Sequence, residues 1–315
     1  MRRVLAALGA ALLLGQSACT EGPAPAPAEL RIATGGPGGV YYEYGQGIAE
    51  AVRTHLPGLE PEVLATAASL DNVRMILGGE AEVAFSLADS VALAVAGEPP
   101  FEEPQPVRTL ARLYDNYVHL VVASDSDINS LADLRGHPVS TGAEGSGTEL
   151  IVDRLLELAG IDPGTDLARQ RLNIDGSASA LASGELSAFF FSSGLPAGAI
   201  HALADAGRIR LIDLSREVTP MRERYGELYT ERSIPQSVYG LPATGTIGVP
   251  NYLVVGADLD DDLARALTGL LFTARDELAE AHPEARRLNL RAAYSTYPAE
   301  LHPGAVQYYR ETRTG

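Results

Sequence analysis

The chain has 315 residues, of which 46% are apolar and 21% charged, a composition typical of a globular protein of about two domains. Its net charge of −17 disfavours a nucleic-acid partner, because such binding depends on cations that neutralise phosphates. All 24 basic residues are arginines, so a P-loop lysine, a lysine Schiff base and a Ser-x-x-Lys nucleophile site are excluded.

The N-terminus predicts export. Met1–Arg3 is positively charged, and Val4–Gly15 is an apolar run too short to span a membrane. Residues 1–18 are therefore expected to form a signal peptide, which places the protein in the periplasm or at the cell surface.

Cys19 is the only cysteine, so the chain has no intramolecular disulfide and no Cys-rich metal site. A small residue before it resembles the lipobox of bacterial lipoproteins, although Gln16 stands where leucine is usual. Two outcomes stay open, lipidation of Cys19 or plain cleavage near residue 18. Residues 19–28 are expected to form a Pro/Ala tether in either case.

Predicted strands and helices alternate along the mature chain, which indicates βαβ units and a largely parallel sheet of the α/β class. Strands are predicted at residues 30–33, 62–65, 82–85, 110–114, 118–123, 138–141, 186–191, 209–213 and 253–255. Helices are predicted at residues 40–54, 69–77, 90–96, 150–158, 178–182, 196–206 and 260–281, followed by a Tyr-rich terminal helix. Residues 219–241 are expected to be helix plus loop.

Two glycine-rich turns, Gly35–Tyr41 and Gly142–Thr148, each lie between a predicted strand and a predicted helix. Glycines there let backbone N–H groups converge at a helix N-terminus, which favours a carboxylate or phosphate. Ser146 and Glu149 also fit a capping box. Leu150 stands where a dinucleotide fingerprint needs its third glycine. Each turn could instead be a tight βα connection without a ligand.

Catalytic chemistry has little support in the sequence. No Gly-x-Ser-x-Gly elbow surrounds Ser146, and no His-Glu-x-x-His or similar ligand spacing is present. The acidic run Asp258–Asp262 opens a predicted helix, where it complements the helix dipole. We therefore expect no catalytic residue, no metal and no cofactor.

An internal similarity links two parts of the chain. Residues 76–85 and 181–190 both place an aliphatic residue three before a Gly-Glu pair and a Phe six after that glycine. The similarity could be chance. It could also reflect two lobes of related architecture, each offering a strand-end loop to a shared cleft.

The combined motifs resemble the TAXI family of solute-binding proteins, the receptors of TRAP-type secondary transporters. The matching runs cover nearly all of the mature chain: Ile32–Tyr42, Ser69–Asn72, Gly79-Glu80 with Phe85–Asp89, Ser130–Gly136, Gly142–Glu149, and Leu301–Ala305 with Tyr308-Tyr309. Pro37 and Leu87 stand where the family more often has a small polar residue and a glutamine, so the resemblance does not identify the solute.

The resemblance implies a type II periplasmic-binding-protein fold, in which two α/β lobes joined by hinge strands enclose a central ligand cleft. Lobe one is then expected at residues 29–124 plus 252–315, and lobe two at residues 125–251. The implied function is capture of a small anionic or zwitterionic solute, similar to glutamate, glutamine or 2-oxoglutarate. The implied partner is a TRAP membrane permease with fused small and large subunits.

The predicted solute contacts lie on strand-end loops of both lobes. Asp89 is expected to accept a hydrogen bond from an ammonium group, which favours an amino acid over a simple keto acid. The predicted contacts from lobe one are Gly38, Gly39, Val40, Tyr41, Ser69, Asn72, Ser86 and Asp89, and those from lobe two are Ser146, Gly147, Thr148, Ser193 and Gly194.

Two alternatives stay open. The same fold could serve a sensor or the binding component of an ABC importer. It could also be an enzyme related to those that make thiamine precursors, which the missing lysine and the missing cofactor site disfavour.

Overall fold

The structure, a computed structural model, describes residues 28–313. The predicted signal peptide, Cys19 and nearly all of the predicted tether lie outside the described residues. Within residues 28–313 no helix is both long enough and apolar enough to cross a membrane.

Ten strands and twelve helices follow one another in the described part of the chain. The strands are β1 (Ala28–Ala33), β2 (Leu59–Leu64), β3 (Val83–Leu87), β4 (Val107–Ala123), β5 (Pro138–Ser140), β6 (Ala168–Gln170), β7 (Ala188–Ser193), β8 (Ile209–Leu211), β9 (Thr230–Ile234) and β10 (Thr244–Gly256). The helices are α1 (Val40–His55), α2 (Ser69–Leu77), α3 (Ala88–Ala96), α4 (Gly147–Leu158), α5 (Ile174–Ser183), α6 (Gly198–Asp205), α7 (Val218–Tyr225), α8 (Gln236–Tyr239), α9 (Asp261–Thr273), α10 (Arg275–Ala281), α11 (Leu290–Ala293) and α12 (Pro303–Arg313). Short 3-10 turns lie at Leu131–Leu134, Ser215–Glu217 and Pro283–Arg287.

One continuous sheet joins two groups of parallel strands. Its order is β2-β1-β3-β10-β4-β7-β5-β6, with β8 paired to β4 and β9 paired to β10. Strands β1, β2 and β3 are parallel in one group, and β5, β6 and β7 are parallel in the other. The long strands β4 and β10 run antiparallel to each other between the groups. Both groups therefore share these two strands, which form the connection between two lobes.

Each lobe has its own hydrophobic core on both faces of its part of the sheet. In the first lobe, α1, α9, α10 and α12 cover one face and α2 and α3 the other. In the second lobe, α4 and α7 cover one face and α5, α6 and α8 the other. The predicted lobe boundaries at residues 124 and 252 fall just after β4 and inside β10, and they stay predictions at that level of detail.

Strand β4 is a single strand of 17 residues where two short ones were predicted. The polar residues at its centre, which resemble a break, are paired inside the fold. The Asp115 carboxylate lies 2.7 Å from Arg112 and 2.6 Å from Arg232. The Asn116 side chain accepts a hydrogen bond of 2.6 Å from Asn251. Satisfied polar groups let the strand continue through the hinge.

Strand β10 begins nine residues before its predicted start. Glycines and a proline in its first half interrupt the strand pattern in the sequence, so that half was not predicted. The register between β10 and β4 shifts between Pro250 and Tyr252. A proline within a sheet is tolerated at such an irregularity, where its missing N–H leaves no ladder bond unmade. Strands β6 and β9 were not predicted, and the predicted helix at residues 260–281 is two helices that meet at Ala274.

The side chain of Asn72, in α2, joins three segments of the first lobe. It is fully buried, and its amide nitrogen donates to the carbonyl oxygens of Thr34 and Phe85, both at 2.7 Å. Its carbonyl oxygen accepts a hydrogen bond of 2.5 Å from the hydroxyl of Thr66. Asn72 therefore fixes α2 against the ends of β1 and β3 and has a structural role.

Replacing Asn72 with alanine should lower the free energy of unfolding by on the order of 2–3 kcal/mol, because buried acceptors would lose their donor. Urea unfolding followed by circular dichroism measures the change. Asn129→Ala is the matched control, since Asn129 is exposed and should cost less than about 0.5 kcal/mol. Equal stability of Asn72→Ala and the wild type would contradict the structural role.

Candidate functional site

A cavity lies between the lobes, at the carboxyl ends of the parallel strands of both groups. Its volume is about 60 Å³, room for roughly four to six water molecules. Carboxyl ends of parallel strands are where open α/β sheets bind ligands. The lining residues are Gly35, Gly36, Gly39, Val40, Tyr41, Thr66, Ala67, Ala68, Ser69, Leu87, Asn116, Gly142, Ala143, Ser146, Gly147, Thr148, Leu172, Asn173, Ile174, Phe191, Ser192 and Ser193.

Four helices begin at the cavity wall, two from each lobe. Helices α1 and α2 begin at Val40 and Ser69, and α4 and α5 begin at Gly147 and Ile174. The first N–H groups of a helix have no acceptor within that helix, and each N-terminus carries about half a positive charge. The cavity is therefore surrounded by backbone donors that suit an anion.

The two lobes cap these helices differently. In the second lobe, Ser146 accepts a 3.0 Å hydrogen bond from the Glu149 N–H, and Asn173 accepts one of 2.8 Å from the Gly176 N–H. In the first lobe, neither Gly39 nor Ala68 makes a side-chain cap hydrogen bond. Backbone oxygens take the place of the caps there: the Tyr42 N–H donates to Gly39 at 3.2 Å, and the Asp71 N–H donates to Ala68 at 3.0 Å. The third N–H group is therefore satisfied in each of the four helices, and the first two are left for a ligand.

The backbone at the start of α2 is strained. Ala68 has a φ of 78°, the one positive value among the non-glycine residues of the described chain. Its N–H donates to the Thr66 hydroxyl at 2.9 Å, which holds this conformation. Positive φ is unfavourable for an L-residue and occurs often where a binding loop is fixed in a set geometry. The strained residue lines the cavity, so the first lobe's loop is held in place before a ligand binds.

The lining side chains are neutral. Among the described residues around the cavity, none is an aspartate, glutamate, arginine or histidine. Burial raises the pKa of Tyr41, so its hydroxyl remains a donor. Leu87, Ile174 and Phe191 supply apolar wall. The site can therefore enclose a small molecule with one polar, electron-rich end, which the backbone N–H groups would meet.

Acidic residues in the first turns limit the long-range field of the helices. Each of the four helices has one, and none of them lines the cavity: Glu43, Asp71, Glu149 and Asp175. The Glu149 carboxylate is neutralised by Arg169 at 3.0 Å and Arg171 at 2.6 Å. Attraction for an anion must therefore come from direct N–H contacts rather than from the distant field of the helices.

A chain of hydrogen bonds crosses the hinge beside the cavity. The Tyr41 hydroxyl donates to the side-chain oxygen of Asn251. The Asn251 amide donates to Asn116 at 2.6 Å, and the Asn116 amide donates to the Ser192 hydroxyl at 3.3 Å. The chain joins α1 of the first lobe to β7 of the second through both hinge strands. Three of its members, Tyr41, Asn116 and Ser192, line the cavity.

The two glycine-rich turns face each other across this cavity. Eight of the predicted solute contacts line it: Gly39, Val40, Tyr41, Ser69, Ser146, Gly147, Thr148 and Ser193. Whether they contact a solute stays a prediction. Five others lie outside the lining: Gly38, Asn72, Ser86, Asp89 and Gly194.

Strand geometry and packing explain three of these five. Ser86 alternates with Leu87 along β3, so that its hydroxyl points away from the cavity that Leu87 lines. A Cβ at Gly38 would overlap the Asp175 carboxylate. A Cβ at Gly194 would lie 2.8 Å from Glu284, so the glycine there serves close packing between lobes.

Asp89 is not available to an ammonium group, which corrects the role expected for it. It is buried, its carboxylate accepts hydrogen bonds of 2.7 Å from the Tyr229 hydroxyl and the Ser90 N–H, and Arg154 lies 3.9 Å away. Tyr229 and Arg154 belong to the second lobe. Asp89 therefore links the two lobes at a point outside the cavity.

Sequence patterns did not predict the cavity residues that follow short or interrupted strands. Leu172, Asn173 and Ile174 follow strand β6, which is too short to show a pattern. An Asn three residues before a glycine and next to an apolar run is a usable N-cap signal for α5. A second usable signal is Asn116, because a polar residue among the apolar residues of a strand often marks a site.

A family model described as the NMT1-like family matches residues 32–312. Because the match spans most of the chain, the protein belongs to that family. The match does not establish the narrower TAXI assignment that the motifs suggest.

Three solved structures with TM-scores of 0.50 to 0.52 share the architecture. The periplasmic aliphatic sulphonate-binding protein SsuA from Escherichia coli is 16% identical (TM-score 0.50), with 90% of this chain and 83% of that one covered. An ancestral arginine-binding protein bound to arginine is 15% identical (0.51; 81% and 98% covered). A chain solved in work on glutathione import via GshT and the cystine ABC importer TcyBC of Streptococcus mutans is 13% identical (0.52; 82% and 95% covered). These similarities confirm the two-lobed periplasmic-binding-protein fold.

Gly147 determines how closely the lobes approach. A Cβ at this position would lie 2.5 Å from Leu87 and 2.6 Å from the Ser69 hydroxyl, both in the first lobe. Gly147→Ala should therefore cost the closed form about 1–3 kcal/mol through overpacking and weaken solute affinity about 5- to 150-fold. Calorimetric titration measures the affinity.

Gly198→Ala is the matched control for this substitution. Gly198 also begins a helix, and its nearest neighbour across the lobes would lie 3.7 Å from the added Cβ. The control should bind as the wild type does. Unchanged affinity in Gly147→Ala would show that binding does not require this close approach.

Proposed function

We propose that this NMT1-like protein is an exported solute receptor that closes two lobes around a small carboxylate and presents it to a membrane importer. The observation that carries the proposal is the convergence of four helix N-termini, two from each lobe, on one neutral cavity. A carboxylate at that point would accept hydrogen bonds from both lobes at once. Such a ligand stabilises the closed form through contacts that the open form cannot make.

The chemistry of the lining favours a carboxylate without an ammonium group. An ammonium buried in the cavity would need a carboxylate partner, because an unpaired buried charge is strongly unfavourable. The lining residues supply none, and Asp89 is held by Tyr229. A keto or hydroxy acid therefore fits better than an amino acid such as glutamate. The small volume of the cavity favours a short chain.

The importer class has two candidates. An ABC importer is supported by the similarity to a chain solved in work on glutathione import via GshT and TcyBC. A TRAP permease is supported only by the motifs that resemble the TAXI family. ABC importers hydrolyse ATP and TRAP permeases use an ion gradient. Sensitivity of solute uptake to vanadate or to an ionophore separates the two.

Calorimetry with matched pairs of acids tests the ligand proposal. The pairs are pyruvate with alanine and 2-oxoglutarate with glutamate. Glutamine is titrated as well, as an additional amino acid. Within a pair, the oxo acid should bind at least about tenfold more tightly, a difference of about 1.4 kcal/mol, because the ammonium group of its partner finds no counter-charge. Tighter binding of the amino acids would contradict the keto-acid preference. No heat from any member would remove the carboxylate proposal.

A further inference from the structure

A buried carboxylate lies at a second contact between the lobes, away from the cavity. Glu284 follows α10 in the first lobe, and its side chain has no exposed surface. One carboxylate oxygen accepts a 2.7 Å hydrogen bond from the Leu195 N–H of the second lobe. The Glu284 side chain is tightly packed there, since a Cβ at Gly194 would lie 2.8 Å from its Cγ.

The second oxygen of Glu284 is poorly satisfied. The Arg287 Nε lies 2.8 Å from it, but that atom pair lacks hydrogen-bond geometry, and the arginine side chain is half-exposed. The hydroxyls of Tyr44 and Tyr114 are also buried without a hydrogen-bond partner. The charge of Glu284 contributes to raising the pKa of both tyrosines, so the three groups share one environment. An ionised carboxylate is therefore unfavourable at this position.

The charged and titratable groups around Glu284 give little compensation. Burial raises the pKa of Glu284 to about 7. The hydrogen bond from the Leu195 N–H and the charge of Arg287 lower the pKa, but their combined effect is smaller than that of burial. The groups that interact electrostatically with its carboxyl are Tyr44 of α1, Tyr114 and Asp115 of β4, Tyr239 of α8, and Arg287. His282 instead accepts a hydrogen bond from the Glu284 backbone N–H, and its Nε2 lies 3.2 Å from the Pro196 carbonyl oxygen of the second lobe. Burial lowers the pKa of His282, so its ring is uncharged near neutral pH. The His282 Nε2 lies 4.0 Å from the Glu43 carboxylate.

We propose that closure of the two lobes binds a proton at Glu284, so that this receptor closes more readily in acidic surroundings. The inference rests on the lobe movement of the proposed function and adds a proton as a second ligand of the closed form. The proton removes a buried charge that the Leu195 N–H and Arg287 compensate only in part.

The sign of the effect follows from the two states of the carboxyl. The proposal requires that separation of the lobes withdraw the Leu195 N–H and expose Glu284 to water, where a glutamate has a pKa near 4.3. In the closed form the pKa is about 7. Between those values closure takes up close to one proton, and the closed form gains population as pH falls. Above pH 7 closure must bury the charge, and the unfavourable contribution of Glu284 to closure is then at its full size.

Solution X-ray scattering of the purified protein without solute tests this directly. The radius of gyration of the wild type should fall as the pH is lowered from 8 to 5.5. Glu284→Gln cannot ionise and keeps the acceptor for the Leu195 N–H. Its radius should be more compact than that of the wild type at pH 8 and should change less with pH, since Asp89, whose pKa burial also raises, still titrates at the other contact between the lobes.

Glu280→Gln is the matched control, because Glu280 is an exposed residue close by in the same lobe. It should titrate as the wild type does. Thermal unfolding gives a second readout: Glu284→Gln should raise the melting temperature at both pH values, and by more at pH 8 than at pH 5.5, because a glutamate in the unfolded chain is still mostly ionised at pH 5.5.

Two results would overturn the proposal: a wild-type radius that does not change with pH, or the same change in Glu284→Gln as in the wild type. Both measurements are made without solute. Their failure is therefore distinct from a failure of the acids to bind, which would count against the proposed function alone.

Discussion

The site depends on two strands that belong to both lobes. Because β4 and β10 pass through the hinge as one antiparallel pair, the two parallel strand groups point their carboxyl ends at the same space. At every βα turn of those groups, a helix N-terminus or a strand end then lies at the cavity. Without the shared strands, the same turns would be separate connections in two unrelated sheets.

Backbone groups rather than charged side chains carry the recognition chemistry. The chain has a net charge of −17, and its cavity nevertheless offers donors from four helix starts. Backbone donors allow the lobes to meet closely, because they need no side chain in the gap. Gly147 shows the requirement, since even a methyl group there would press on Leu87. The charged contacts between lobes are instead placed outside the cavity, at Asp89 and Glu284.

The sequence predicted the local features well and the long-range ones poorly. The glycine-rich turns and the Ser146 cap depend on neighbouring residues alone, and the structure contains them. The role expected for Asp89 was wrong because its partner Tyr229 lies 140 residues away, and no local pattern predicts that contact. The hinge strands were divided or shortened for the same reason: Asp115 and Pro250 disrupt the strand pattern, and only their tertiary surroundings make them acceptable.

The central claim is that the cavity between the lobes attracts an anion through backbone N–H groups. Crystals of the protein soaked in sodium bromide, with anomalous diffraction recorded at the bromine edge, test it without knowledge of the solute. We expect a bromide peak in the cavity, within contact distance of the first N–H groups of the helices that begin there. Bromide bound elsewhere on the protein, with that cavity holding only water, would contradict the claim.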